Sequence, residues 1–318
     1  MVPTFDYRVA KEFWGIDDLR TALLVNAVVG GTPAYRREFV SHDVPAGPKD
    51  FDDWLCRTVL NPARPLFREA RYLLSEEPDL HNTALYHAVL AAIAGGNTSR
   101  GGIASRLGRK STDLAHPLGV LQDSGLITHE FDAFRKNRSA YRIAEPLLTF
   151  YHAIMRPAWG DLERPGRAPG VWQRSRHAFD SLVVGPHFER ICRQWARWHA
   201  APKTYEGRYP TRVASATVPD PAARTTMEVD VVVFCPGDDE GPILLALGEA
   251  KWQETMTLGH LARLERLRDL LAARGLRGAA SAQLLLFSGS GFDSAVLKRA
   301  DVDPRVQVVG LDRLYTGS

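Results

Sequence analysis

Three cysteines in 318 residues, Cys56, Cys192 and Cys235, are odd in number and far apart. They fit neither a disulfide framework nor a zinc knuckle, and a reducing, cytoplasmic compartment is expected. Lysine is also scarce, at seven of the 40 basic residues. A GC-rich genome produces that ratio, so arginine abundance alone is not assigned to phosphate contacts. No apolar run approaches the roughly 18 residues of a membrane-spanning helix, so no membrane partner is expected. The opening Met-Val-Pro-Thr-Phe-Asp-Tyr-Arg lacks the basic-then-apolar order of a signal segment. No G-x-x-x-x-G-K-[ST] loop occurs anywhere. Gly95-Gly-Asn-Thr-Ser-Arg-Gly-Gly102 has the glycines without the lysine and reads as an inter-helix turn, so no ATP binding is expected. The histidines lack metal-ligand spacing, which argues against zinc. Ser288 lacks the context of a nucleophile elbow.

What is present is an ordinary globular composition, 45% hydrophobic and 24% charged, with a net charge of +3. The length allows about two domains, or three if one is small. Residues 1–79 are net acidic, whereas 80–145 and 171–230 are each modestly basic. Residues 1–80 read as a helical segment broken at Gly30-Gly31-Thr32-Pro33 and by the Pro/Gly loop 41–50. Residues 81–155 read as three helices and a two-stranded hairpin. Ala84–Ala94 stops at Gly95-Gly96, and a second helix carries Ile103, Ala104 and Leu107. A third, Thr112–Asp123, precedes strands at Leu126–His129 and Ala140–Ile143. That order is a winged helix-turn-helix with a basic tip. Pro and Gly in Arg156–Gly170 suggest a boundary, and residues 156–318 then give an α/β pattern. It comprises a long helix Phe179–Ala200, strands Met227–Phe234 and Ile243–Trp252, a helix Leu258–Ala273, and strands Ala282–Ser288 and Val306–Leu311.

Charged residues interrupt two strands that otherwise read as buried. Glu228-Val-Asp230 precedes Val231-Val-Val-Phe234, and Leu244–Leu247 runs into Gly248-Glu249-Ala250-Lys251-Trp252. Alternation puts Glu249 with Lys251 on one face, and Glu228 with Asp230 on one face. If the strands pair as a hairpin, Asp230 and Glu249 approach, and two carboxylates with a backbone carbonyl suit Mg²⁺ or Mn²⁺. Lys251 would stand beside the attacking water. Equally, such residues serve as solvated ends of ordinary strands.

The order of helix Phe188-Glu189, strand Glu228–Asp230, strand Gly248–Trp252, helix, and strand Leu284–Phe287 resembles a PD-(D/E)xK nuclease-like domain. With Phe287-Ser-Gly-Ser-Gly-Phe292, Tyr141-Arg-Ile-Ala-Glu-Pro-Leu-Leu-Thr-Phe150 and Gly30-Gly-Thr-Pro-Ala-Tyr35, nearly the whole chain resembles the C-terminal portion of archaeal-type ATPases of the AAA+/STAND class. The resemblance implies an α+β, multi-domain protein: an ATPase-lid remnant, a winged helix-turn-helix, then an α/β nuclease-like domain. It departs from the family in lacking the ATP-binding core, so the chain is not expected to be an ATPase on its own. The resemblance makes Asp230 and Glu249 metal ligands and Lys251 the catalytic lysine. Glu189 takes the place of a helical acid, and Gln253 and Glu228 are additional candidates. DNA contacts would come from Arg109, Lys110, Ser111 and His116 around the third helix, and from Arg135, Lys136 and Arg138 at the wing. Three readings stay open: a DNA-binding metal-dependent nuclease, a DNA-binding regulator with an inactive nuclease-like domain, and a protein-interaction half of a truncated ATPase whose missing part a separate ATPase supplies.

Overall fold

The computed structural model describes residues 4–75, 83–135, 137–237 and 241–317. The protein is mixed α/β and divides into two compact units. The first comprises Met1–Glu130 and Ala140–His187, and the second Phe131–Ser139 and Phe188–Ser318. Among the described residues, no helix is long and apolar enough to cross a membrane.

The first unit is helical. Helix α1 (Tyr7–Trp14) starts where Asp6 Oδ1 accepts the Arg8 and Val9 N–H groups, each at 2.9 Å. Helix α2 (Leu19–Val29) starts in the same way at Asp18, which accepts the Thr21 N–H at 2.7 Å. It is apolar nearly all round and correspondingly buried, from Ala22 and Leu23 through Val28 and Val29. The Gly30-Gly31 break is a requirement of packing. A Cβ on Gly31 would lie 1.9 Å from the Phe5 carbonyl oxygen, and the Phe5 N–H donates to the Gly31 carbonyl at 3.0 Å. Helices α3 (Phe51–Arg57) and α4 (Pro65–Ser75) follow, then α5 (Thr83–Ala94), α6 (Arg100–Arg106) and α7 (Ala115–Asp123). Strands β1 (Ile127–Phe131) and β2 (Ser139–Ile143) pair as the hairpin. Helices α8 (Pro146–Phe150), α9 (Trp159–Leu162) and α10 (Ala168–Ala178) complete the unit. An aromatic cluster joins α3 to α10, with Phe51 6.3 Å from Trp172 and 6.1 Å from Phe179.

Three features differ from the sequence pattern. The third helix of the winged-helix pattern begins as a 3₁₀ turn at Ser111–Leu114, and its α-helical part starts only at Ala115. Pro117 therefore lies in the first turn, where no intrahelical N–H is needed. The Pro/Gly stretch 156–170 lies within the first unit, where it forms helical turns around the fully buried Leu162. Helix α10 was not anticipated, because Arg174, Arg176 and His177 dilute its apolar face. The expected limit between residues 80 and 81 falls outside the described residues.

The second unit is built on a five-stranded sheet in the order β3-β4-β5-β6-β7: β3 (Arg212–Asp220), β4 (Thr225–Cys235), β5 (Ile243–Lys251), β6 (Gln283–Ser288) and β7 (Val306–Val309). The first three strands are antiparallel and the last three parallel. Helix α11 (Gly185–Gln194) supplies Phe188, Ile191 and Cys192 to the core, and beyond it Trp195 packs on Phe287 of β6 at 5.6 Å. Helix α12 (Leu258–Ala273) buries Leu261, Leu264, Leu267 and Leu271 with Val229, Val232, Leu247 and Leu286 of the sheet. Its start is fixed by a capping box between Thr257 and His260. Helices α13 (Ser294–Val302) and α14 (Leu311–Thr316) flank β7 in sequence. Strand β3 was not anticipated from the sequence, since Ala214, Ser215, Ala216 and Thr217 carry little apolar signal. The hairpin tip 131–139 belongs to this unit. Ala133 N–H donates to the Ser215 carbonyl at 2.9 Å, and Asp132 Oδ2 accepts the Thr217 N–H at 2.8 Å.

Candidate active site

Asp230 occupies an irregularity in β4. Ala214 pairs with Val232 and Ala216 with Val229, so two residues of β4, Asp230 and Val231, stand opposite Ser215 alone. That is a β-bulge, which bends the strand and re-aims its side chains. The ladder between β4 and β5 reaches only as far as Val231 opposite Gly248. Beyond it, Asp230 Oδ2 accepts the Ala250 N–H at 2.8 Å, replacing the backbone acceptor the ladder no longer offers. Gly248 is required at this fork, because a Cβ there would meet the Phe287 ring at 2.9 Å and Val231 Cβ at 3.1 Å.

Glu249 and Lys251 share a face, as strand alternation requires: Lys251 Nζ lies 3.1 Å from Glu249 Oε1. Glu249 is 1% exposed. The same oxygen accepts Arg263 Nη1 at 2.7 Å, while Arg263 Nη2 donates to the Glu228 carbonyl at 2.7 Å. A buried carboxylate thus holds two cationic partners, one on its own strand and one on α12. Arg193 of α11, almost fully buried, donates to the Asp230 carbonyl at 3.1 Å and lies 3.9 Å from Glu189 one turn earlier.

These placements shape the electrostatics. Burial, then the like charges of Glu189 and Glu249, push the Asp230 carboxyl from 3.8 up to about 7, against the opposing pull of the Ala250 N–H and of Lys251. For Lys251, burial works against the ammonium, but Glu249 and Asp230 more than offset it and hold its pKa above the ordinary lysine value. The Cys192 thiol is pushed well up by burial, with Asp230 adding to the effect. It is therefore not an activated nucleophile.

The sequence candidates divide. Asp230, Glu249, Lys251 and Glu189 come together around the fork of β4 and β5. Glu228 contributes its backbone carbonyl, and its side chain is exposed. Alternation holds from Met227 to Asp230 and is broken only beyond, by the bulge at Asp230 and Val231. Gln253 does not extend the strand face, because β5 ends at Lys251 and Gln253 sits exposed in the bend beyond. Arg193 and Arg263 were missed. Their only sequence signal is a basic residue facing an acidic strand from a helix, and α12 alone carries three arginines within one and a half turns.

The donor set is all oxygen, which suits a hard divalent cation. Among the described residues, no group of three or more His, Cys, Asp or Glu side chains is arranged to hold a metal. Mg²⁺ needs only one or two carboxylates besides water and substrate oxygens. Asp230 and Glu249 supply oxygen donors of that kind, but Glu249 Oε1 is engaged by Lys251 at 3.1 Å and by Arg263 at 2.7 Å.

In the first unit, Arg109, Lys110, Ser111 and His116 are all exposed, and the Ser111 carbonyl accepts Arg100 Nε at 2.7 Å. In the hairpin tip, Arg138 is exposed and Arg135 half-buried, with the Arg135 N–H held by Asp132 at 3.0 Å. Lys136 lies outside the described residues.

No protein-family model matches the chain, and no curated protein matches it. Among solved structures, it is similar to the crystal structure of protein VC1899 from Vibrio cholerae. The identity is 14%, over 77% of this chain and 53% of that one, with a TM-score of 0.25. The chain spans about half the length of that protein, and a likeness at this level carries no argument about function.

Proposed function

We propose that the second unit is a PD-(D/E)xK nuclease-like domain whose site hydrolyses phosphodiesters with a divalent cation, and that the first unit contains a winged helix that binds duplex DNA. The observation that carries this reading is the convergence of Asp230, Glu249 and Glu189 beside Lys251 at the fork of β4 and β5. Three acids near one another in a largely buried place are costly for stability alone. Asp230 and Glu249 would hold Mg²⁺ or Mn²⁺. When bound, such an ion polarises a phosphodiester and lowers the pKa of a coordinated water. Lys251, protonated through Glu249, faces the place where phosphate charge develops and stabilises it. Arg193 fixes the backbone of Asp230, and so the aim of its carboxylate.

DNA binding rests on the exposed basic group Arg109–Lys110 at the start of the third helix, with Arg138 at the wing. The anchoring of the hairpin tip on β3 through Ala133 and Asp132 leaves Arg135 less available than Arg138. A second reading, a DNA-binding regulator with a silent site, is favoured by one observation: Arg263 already neutralises Glu249 at 2.7 Å.

The deciding experiment is a cleavage assay on single-stranded, duplex, nicked and supercoiled DNA with Mg²⁺ and Mn²⁺, run beside Lys251→Ala. Metal-dependent cleavage that Lys251→Ala abolishes is expected. Retained duplex binding without cleavage of any form by the parent protein moves the assignment to the regulator.

A further inference from the structure

The geometry points to a second, unrelated site in the first unit: a cavity that binds a small phosphate-bearing molecule of mononucleotide size. The cavity has a volume of about 470 Å³ and is lined by Arg68 and Arg71 of α4, Thr83 and His87 of α5, and Trp159 and Glu163 at α9. That volume lies in the range of small-molecule sites. Arg68 and Arg71 are three residues apart on one helix, so their side chains leave from the same face. Both are exposed, and neither has an ion-pair partner among the described residues. Two guanidinium groups on one wall provide the paired donors that a phosphate takes up better than a point charge would.

Aromatic contacts pack the cavity wall. The Phe67 ring stacks on Trp159 at 4.5 Å, and the Arg71 guanidinium carbon lies 5.0 Å from the Trp159 ring centroid. Trp159 Nε1 donates to Glu163 Oε1 at 2.7 Å. Among the described residues Glu163 is the one lining carboxylate, and its hydrogen-bond donor is the indole rather than an arginine.

The third wall holds His87, with His152 behind it. Among the described residues, His87 Nδ1 is buried without a hydrogen-bond partner, and the same holds for both ring nitrogens of His152, which is 4% exposed. The two rings are 5.5 Å apart. Burial, then His87 and Arg156, press the His152 pKa down to about 3, while burial, then Arg156 and Arg71, hold that of His87 below its ordinary value. The imidazoles therefore stay neutral in the free protein, in a field set by Arg71 and Arg156. An anion between Arg68 and Arg71 cancels that field, and its oxygens supply the acceptors that a protonated His87 requires. Such anions are the ligands that two exposed arginines, a polar Thr83 and a proton-accepting imidazole select together.

The test is calorimetry of the full chain with inorganic phosphate, pyrophosphate and a nucleoside 5′-monophosphate, with a 5′-phosphorylated oligonucleotide as the competing source of the same group. The expected result is saturable binding of the monophosphate, weakened about tenfold or more in Arg68→Gln/Arg71→Gln and unchanged in Arg106→Gln, an exposed arginine elsewhere on the unit. The His87 imidazole, followed by NMR, should titrate at higher pH when the ligand is bound. Both altered arginines are exposed, so equal melting temperatures should confirm that folding is intact. Absence of saturable binding, equal binding by the double variant, an unmoved His87 titration, or tighter binding of the oligonucleotide than of the monophosphate overturns the proposal.

Discussion

Replacing Asp230 by Asn should stabilise the second unit at neutral pH and not at acid pH. The Asp230 carboxyl is held at about 7 in the folded protein against an ordinary 3.8. Below the ordinary value it is protonated in both the folded and unfolded states and imposes no penalty. As pH rises through that value, the unfolded chain gives up its proton first while the folded protein keeps it. Stability from this group is therefore lost progressively between the two values and levels off above the upper one. With about 1.4 kcal/mol per pKa unit, the loss amounts to about 4 kcal/mol. Asp230→Asn cannot ionise and avoids it, and its amide oxygen can still accept the Ala250 N–H. The assay is urea unfolding of both proteins at intervals from about pH 4 to about pH 8, since their difference cancels titrations elsewhere. The parent should fall behind the variant as pH rises. At the alkaline end, Mg²⁺ at about a hundred times its Kd should return about 2.7 kcal/mol to the parent alone. A difference that does not depend on pH, or a parent that gains on the variant as pH rises, would refute the assignment of Asp230 as an acid under repulsion.

Lys251→Ala should reduce any metal-dependent cleavage at least about a hundredfold, with an unchanged melting temperature because Arg263 still pairs with Glu249; single-turnover kinetics would measure it. Arg109→Glu with Lys110→Glu should weaken binding to all duplexes alike and lower the slope of log K against log salt by about one per lost contact. An unchanged slope on titration by fluorescence anisotropy would remove them from the interface. Gly31→Ala should destabilise the first unit by about 3 kcal/mol, because its Cβ would fall 1.9 Å from the Phe5 carbonyl oxygen; thermal unfolding followed by circular dichroism reads it.

The elements legible from sequence were those whose pattern is repeated. Helix α12 has the expected limits, Leu258–Ala273, because its leucines recur every three or four residues and Thr257 caps it. Strands β4, β5 and β6 were legible as near-continuous apolar runs, which two covered faces demand. The ion pair of Lys251 with Glu249 follows from alternation within one strand. The bulge at Asp230 does not, because a register shift is defined against the neighbouring strand, and β3 carries only small and polar residues around Ser215. Arg263 was illegible for a related reason. Arg263, Arg266 and Arg268 are equivalent in one dimension, and only the position of Glu249 across the sheet selects the first. Arg266 is turned instead to Asp220, at 2.7 Å.

The extra residue in β4 also makes this place sensitive to changes in chain length. Because Asp230 and Val231 share one partner, deleting either would let β4 pair evenly with β3 throughout. The ladder with β5 could then continue past Gly248, and Ala250 N–H would find a main-chain carbonyl where it now finds a carboxylate. The strands would zip shut and the sheet would gain regularity. A one-codon deletion there should therefore yield a protein that melts at a higher temperature, exchanges its Ala250 amide more slowly, and has no opening left between the strands.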